Sequence, residues 1–176
     1  MLIKTIFAGF GGQGVLSMGL NLAQAAMIEG KNVTYLPSYG AEVRGGTANC
    51  TVAISDEEIA SPVASSPEFI VVLNQPSLER FQNQIQSGGL IFINSCLVKA
   101  EIARGDVELV NVPANTIAET LGSQRSANMV MLGAFAKKSN LVSLDSIIEG
   151  LKTILKAKQK LIAINEKALT SGYELF

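Results

Sequence analysis

Hydrophobic and polar positions fall into short blocks whose period changes along the chain. Ile3 to Ala8 is an apolar-rich run, the pattern of a buried parallel strand. Glycines follow. Val15 to Glu29 then has helical spacing, with Leu16, Leu20, Ala23 and Met27 as its apolar stripe and Gly30 at its C-terminal end. Asn32 to Leu36 predicts a second strand, closed by Pro37, and a polar glycine-rich loop runs from Ser38 to Gly46. Thr47 to Ser55 has period two, with Cys50, Val52 and Ile54 on one face and Asn49, Thr51 and Ala53 on the other. Asp56-Glu57-Glu58 makes a charged turn, and Ser61 to Pro67 a Ser/Pro-rich loop.

Phe69 to Leu73 predicts a strand, and Pro76 opens a helix running to about Gln86. Gly88-Gly89 turns the chain into the strand Leu90 to Asn94, and Val107 to Val112 is the next strand. From Ala114 to about Ala168 the pattern is helical. Ser143 is placed to cap a helix carrying Ile147, Ile148, Leu151, Ile154 and Leu155. Repeats, low-complexity tracts and linkers are absent from the sequence. Successive βα units predict one α/β domain over residues 1–176, an open, mostly parallel, three-layer sheet domain with a helical C-terminal segment against one face or edge.

Composition narrows what such a domain does. With 176 residues it can bury a sizeable core without disulfides or metals. Only 16% of residues are charged, below the roughly 25% of soluble domains. A chain of this kind binds something apolar or shares its surface with partners. The net charge of −1 offers no field to attract nucleic acid or an anionic membrane. Zero histidines removes the commonest general acid/base and metal ligand, and every Ser-His-Asp or Cys-His arrangement. Cys50 and Cys96 form no CxxC, which excludes a zinc ribbon or an iron–sulfur cluster held within the chain. Both read as small buried hydrophobes, reduced in a cytoplasmic setting. The apolar segment Met129 to Ala136 is too short to span a membrane, and the N-terminal run lacks a signal-peptide pattern, so a soluble, cytoplasmic protein is expected.

Two loops carry candidate chemistry. Gly9, Gly11, Gly12, Gln13 and Gly14 satisfy G-x-G-x-x-G between a predicted strand and a predicted helix. Such glycines allow a sharp turn and let a phosphate reach backbone amides at a helix N-terminus. A nicotinamide dinucleotide would need an acid after the second strand, where Leu36-Pro37-Ser38-Tyr39 stands instead. An anion, a facing protein chain, or tight packing without any ligand all remain open for this loop. Gln13 is its unusual member, because its amide both donates and accepts. The second loop contains Ser38, Tyr39, Glu42, Arg44, Gly45 and Gly46 and follows the second strand, so both loops are expected at one end of the sheet. Arg44 offers a planar fork for carboxylate or phosphate, or merely pairs with Glu42 in a solvated turn. Asn115 and Thr116 follow the last strand and place an amide and a hydroxyl near the same end, or Asn115 caps a helix. Ser126 and Asn128, with Arg125, are caps or ligand contacts. Lys152, Lys156 and Lys160 recur every four residues along one predicted helix, a solvated stripe or a docking face for an acidic protein.

Taken together, GFGGQGV (9–15), SYGAEVRGGTANC (38–50), NQPSLERF (74–81), ANTIAETLGSQRSANMVMLGAF (114–135) and NEKALTSGYEL (165–175) resemble the gamma subunit, or gamma domain, of the 2-oxoacid:ferredoxin oxidoreductases. The resemblance covers essentially the whole chain in order. RGGTANC is more similar to the 2-oxoglutarate and branched-chain 2-oxoacid members than to the pyruvate members, so the resemblance implies 2-oxoglutarate as substrate, with a branched-chain 2-oxoacid or pyruvate as the alternatives. Glu68 and Ala41 depart from a frequent Asp and Pro. The resemblance implies an enzyme that decarboxylates a 2-oxoacid on thiamine diphosphate and magnesium. It passes electrons through iron–sulfur clusters to ferredoxin and gives the acyl group to coenzyme A. It places the thiamine site in alpha and beta subunits and the clusters in beta or a ferredoxin-like delta subunit. The gamma part carries neither; it shapes the coenzyme A side of the active site and binds the alpha subunit. On that basis Gly11, Gly12, Gln13 and Arg44 are expected to face the shared cleft or the alpha subunit. A self-sufficient nucleotide-binding oxidoreductase and a purely structural subunit are the competing classes. The low charge predicts apolar surface, or self-association, in the isolated chain.

Overall fold

The computed structural model describes residues 1–39, 46–99, 102, 104–156 and 158–176, with only the backbone of Tyr39. Six strands, β1 (Leu2–Phe10), β2 (Asn32–Tyr39), β3 (Thr47–Ser55), β4 (Phe69–Val72), β5 (Leu90–Asn94) and β6 (Glu108–Val112), form a sheet in the order β2-β3-β1-β4-β5-β6. β4 pairs in parallel with β1 and β5, and β5 with β6, whereas β3 runs antiparallel to both β1 and β2. The sheet is therefore mixed, with β3 reversed. Residues 40–46 are too few for the crossover of a dozen or more residues that a parallel β2–β3 pair would need. β2 also continues through Pro37 to Tyr39 rather than stopping at Leu36, and Pro37 sits opposite Cys50. An edge strand tolerates proline, whose missing N–H can face away from the ladder.

The helices are α1 (Val15–Ile28), α2 (Gln75–Phe81), α3 (Ala114–Thr120), α4 (Ala127–Ser139), α5 (Leu144–Leu155) and α6 (Gln159–Tyr173). α2 is shorter than its pattern predicts and continues as a 3-10 turn over Gln82–Gln84. None of the described helices is long and apolar enough to cross a membrane.

Alternate residues of β1 feed two cores. Phe7 joins Cys50, Val52, Val71 and Phe92 under α1 and α4, while Ile6 and Ala8 join Ile70, Ile91 and the α2 residues Leu78 and Phe81. Phe135 of α4 sits among Phe7, Phe69 and Phe92, with ring centroids 5.3–5.6 Å away. These edge-on contacts add to the burial of four large rings.

α1 buries a different face from the expected stripe. Leu20 and Met27 are 41% and 59% exposed, and the helix seats Met18, Gly19, Leu22, Ala25 and Ala26 instead. Gly19 is the reason: a Cβ there would collide with Cys50 Sγ and stand 3.2 Å from the Tyr35 ring, so the small-residue face lies close on β3. Leu20 and Met27 are left pointing outward, while Ala23 of the expected stripe is buried and Leu16 packs partly against the core.

Within the helical segment, α4 packs on one face of the sheet, as expected. α5 packs on α1 and α6 on α4, forming a second helical layer on that side. Gly133 and Gly172 bring α4 and α6 together, since a Cβ on either would strike the other helix at the carbonyl of Leu169 or Val130. Ser143 caps α5 as expected, its Oγ accepting from the Ser146 N–H at 3.1 Å. The expected lysine stripe is divided: α5 ends at Leu155, Lys156 has φ 44° and Lys160 belongs to α6. Lys152 pairs with Glu166 at 3.6 Å.

Candidate functional site

Strand order locates the crevice. From β1 the chain passes through α1 toward one edge of the sheet, and from β4 through α2 toward the other. α1 and α2 lie on opposite faces, so the winding reverses between β1 and β4. In an open α/β sheet, ligands bind beyond the strand C-termini at such a switch point.

The glycine loop after β1 occupies this position. Gly12 has φ 96° and faces open space, and Gly14 has φ 77°. Both values favour glycine. A Cβ on Gly14 would collide with the Asn128 side-chain amide, and Asn128 Nδ2 donates to the Gly14 carbonyl at 3.2 Å. Gln13 locks the loop to the next strand. Its Oε1 accepts from the Phe10 N–H at 2.7 Å and from Asn74 Nδ2 at 3.0 Å, while its Nε2 donates to the Leu73 carbonyl at 3.1 Å. Asn74 in turn caps α2 by accepting from the Ser77 N–H at 2.9 Å. The amide that stood out in the motif is thus the clamp between β1 and β4, and one Nε2 hydrogen remains for a ligand.

The second loop meets the first. The Gly11 N–H donates to the Gly46 carbonyl at 2.9 Å, so both glycine-rich loops lie at one end of the sheet. Ser38 is exposed at the end of β2, and Tyr39 pairs there with Ala48. Glu42, Arg44 and Gly45 lie outside the described residues.

A cleft of about 270 Å³ opens at the switch point, lined by Gly12, Gln13, Asn94, Asn115, Arg125 and Asn128 among others. Four expected residues therefore meet: Gly12, Gln13, Asn115 and Asn128. Gly9 lies beneath, where a Cβ would stand 2.7 Å from Gln13 Oε1. Gly9, Gly11, Gly14, Ser38, Gly46 and Thr116 do not line this cleft. Asn115 is not a helix cap: Pro113 precedes α3, and Asn115 sits in the first turn with its Oδ1 accepting from Asn94 Nδ2 at 2.6 Å. Arg125, expected as a cap or ligand contact, lines the cleft too, whereas Asn94 was absent from the expected site residues. The end of β5 is a signal for Asn94 once the strand order is known.

The cysteines differ. Cys50 is buried against α1, and burial pushes its thiol up to about 12. Cys96 is exposed at the rim, which corrects its reading as a buried hydrophobe. Partial burial raises the Cys96 thiol, but the Thr116 hydroxyl at 3.4 Å and the backbone amides of Thr116 and Asn115 outweigh this and leave it lowered.

The fold and crevice define a doubly wound α/β protein with an anion-compatible cleft at its switch point, free of carboxylates among the described residues. Residues 4–175 match the pyruvate ferredoxin/flavodoxin oxidoreductase family, to which the chain belongs. It is 44% identical over 174 residues to the ketoisovalerate oxidoreductase subunit VorA of Methanothermobacter thermautotrophicus, covering 98% of this chain and 36% of that relative. The chain therefore spans about a third of the length of that curated relative. The gamma subunit of a keto/oxoacid ferredoxin oxidoreductase from Geobacter sulfurreducens superposes with a TM-score of 0.83 at 27% identity, covering 98% of this chain and 96% of that one. A 2-oxoglutarate:ferredoxin oxidoreductase from Magnetococcus marinus, solved with 2-oxoglutarate, coenzyme A and succinyl-CoA bound, superposes with a TM-score of 0.89 at 26% identity. That match covers 99% of this chain and 31% of the other.

Proposed function

We propose that this chain is the gamma-type subunit of a 2-oxoacid:ferredoxin oxidoreductase and forms the coenzyme A side of a shared active site. The reaction is oxidative decarboxylation of a 2-oxoacid to an acyl-CoA, with two electrons leaving to ferredoxin. The observation that carries this is the cleft at the β1–β4 switch point. Open Gly12, the polar amides of Gln13, Asn94 and Asn115, and Arg125 line it, and no carboxylate does among the described residues. Such a lining suits a phosphorylated, amide-rich ligand. Gly11, Arg44, Glu42, Gly45, Gly46, Ser38, Tyr39 and Thr116 are assigned to the same rim, toward the ligand or the alpha subunit. The outward stripe with Leu20 and Met27 is a surface for a partner subunit.

This chain's own donors do not fit the redox groups. No three His, Cys, Asp or Glu side chains gather to hold a metal among the described residues, and its two thiols are separated, one under α1 and one at the rim. Thiamine diphosphate, magnesium and iron–sulfur clusters are assigned to the alpha, beta and ferredoxin-like subunits of a cytoplasmic complex. Among 2-oxoacids, the 44% identity to a ketoisovalerate relative supports a branched-chain substrate, with 2-oxoglutarate second.

The test is isolation of the complex through this chain from its host. Copurifying subunits and 2-oxoacid-dependent, coenzyme A-dependent ferredoxin reduction are expected, faster with 2-oxoisovalerate than with 2-oxoglutarate. A photoreactive coenzyme A should label this chain near Gly12 and Asn128. A complex with no coenzyme A-dependent activity overturns the reading, and labels found only on other subunits leave this chain a structural role.

A further inference from the structure

The switch-point cleft has a neighbour. A second cleft of about 210 Å³ lies between α1, α4 and the α5–α6 pair, with Met129, Leu151, Leu155 and Leu161 on its apolar wall. The two clefts share two lining residues, Arg125 and Asn128. Asn128 is engaged with the Gly14 carbonyl. Arg125 is exposed and has no hydrogen bond, ion pair or ring contact with another described residue. The other described arginines are occupied: Arg80 lies over the Phe81 ring, and Arg104 holds Asp106 and the Ile85 carbonyl. Among the described residues no Asp or Glu lines either cleft, and Arg125 is the single charged residue on either wall. Its backbone is fixed while its side chain is free. The 3-10 turn Gln124–Ser126 is pinned by Ser126, whose Oγ lies 2.9 Å from Ser123 Oγ and donates to Asn165 Oδ1 at 2.9 Å.

An unpaired guanidinium on a carboxylate-free wall is a poor structural device and a good anion grip, because its planar fork matches phosphoryl oxygens. We propose that Arg125 is the phosphoryl-gripping, specificity-determining residue of this subunit. It holds a phosphate of coenzyme A at the junction of the two clefts, and the apolar cleft receives the ligand's neutral chain. This rests on the function proposed above.

The experiment uses the assembled complex carrying Arg125→Gln or Arg125→Lys in this chain. Coenzyme A, dephospho-coenzyme A and pantetheine, which has no phosphoryl group, serve as acyl acceptors. Arg125→Gln should raise the KM for coenzyme A about tenfold or more, with kcat at saturation retained. Arg125→Lys should fall between Gln and wild type, since it keeps the charge but loses the fork. Pantetheine should be used equally by wild type and Arg125→Gln. An effect with coenzyme A that vanishes with dephospho-coenzyme A assigns the grip to the 3′-phosphate; one that persists assigns it to the diphosphate. A KM for coenzyme A within twofold of wild type overturns the role of Arg125 while leaving the proposed function intact. Equal weakening of coenzyme A and pantetheine also overturns it, by showing a merely structural effect. A wild-type complex without coenzyme A dependence overturns both.

Discussion

The loop after β1 and the crossing of α4 with α6 both depend on glycine, for opposite ends. At the loop, Gly12 and Gly14 adopt positive φ so that backbone becomes accessible surface beside the cleft. At the crossing, Gly133 and Gly172 remove side chains so that two helix backbones touch and no space remains. The first arrangement is held by one side chain, Gln13, through three hydrogen bonds. The second is held by contact along two long helices, which no single hydrogen bond could replace. The crossing should therefore dominate stability and the loop should dominate binding.

The largest effect that would break this contrast is at the crossing. Gly133→Val drives two methyl groups into the Leu169 carbonyl of α6, and backbone cannot yield as a flexible side chain would. It should cost about 3 kcal/mol or more, lowering Tm by roughly 6–12 °C in calorimetry. A shift under about 2 °C would show that α6 docks without the close approach. Gln13→Ala comes next. It strands the Phe10 N–H and the Leu73 carbonyl at a half-buried position, and should cost about 2 kcal/mol. Adding back coenzyme A to the complex should not rescue binding if the clamp orders the loop.

Thiol labelling sharpens the same contrast without mutation. In the native chain Cys96 should react with iodoacetamide, and more slowly as pH falls and its thiolate is lost. Cys50, pushed up to about 12 under α1, should react only after unfolding. Fast native labelling of Cys50 would mean that α1 opens readily from β3. The smallest expected effect lies far from both regions. The Arg104 guanidinium, hydrogen-bonded to Asp106 at 2.6–2.9 Å, holds that carboxyl at about 2. Its folded value is below the unfolded one near 4, so its contribution is present above pH 4 and lost as pH falls toward 2. Asp106→Asn should flatten the stability–pH curve in that window alone.

Much of the architecture could be read from local pattern. β3, β5 and the Ser143 cap fall where alternation, turn glycines and capping chemistry place them. The misreadings share a cause, which is that they depend on neighbours in space. Leu20 and Met27 look like core positions until Gly19 is seen to let α1 lie on its small residues. Pro37 ends a central strand but not an edge strand, and edge position is a property of the whole sheet. The glycine loop was legible because its spacing carries a backbone requirement. Asn94 was not, because it reaches the cleft only through the order of β4, β5 and β6, and Arg125 stood out only as a cap or ligand contact until the return of α4 set it on the cleft wall.

Hydrogen exchange on the assembled complex, with and without coenzyme A, tests the central claim most directly. Slowed exchange within this chain, strongest at residues 9–14 and 124–128, is the predicted result. Protection appearing only on other subunits, with the glycine loop exchanging as before, would contradict it.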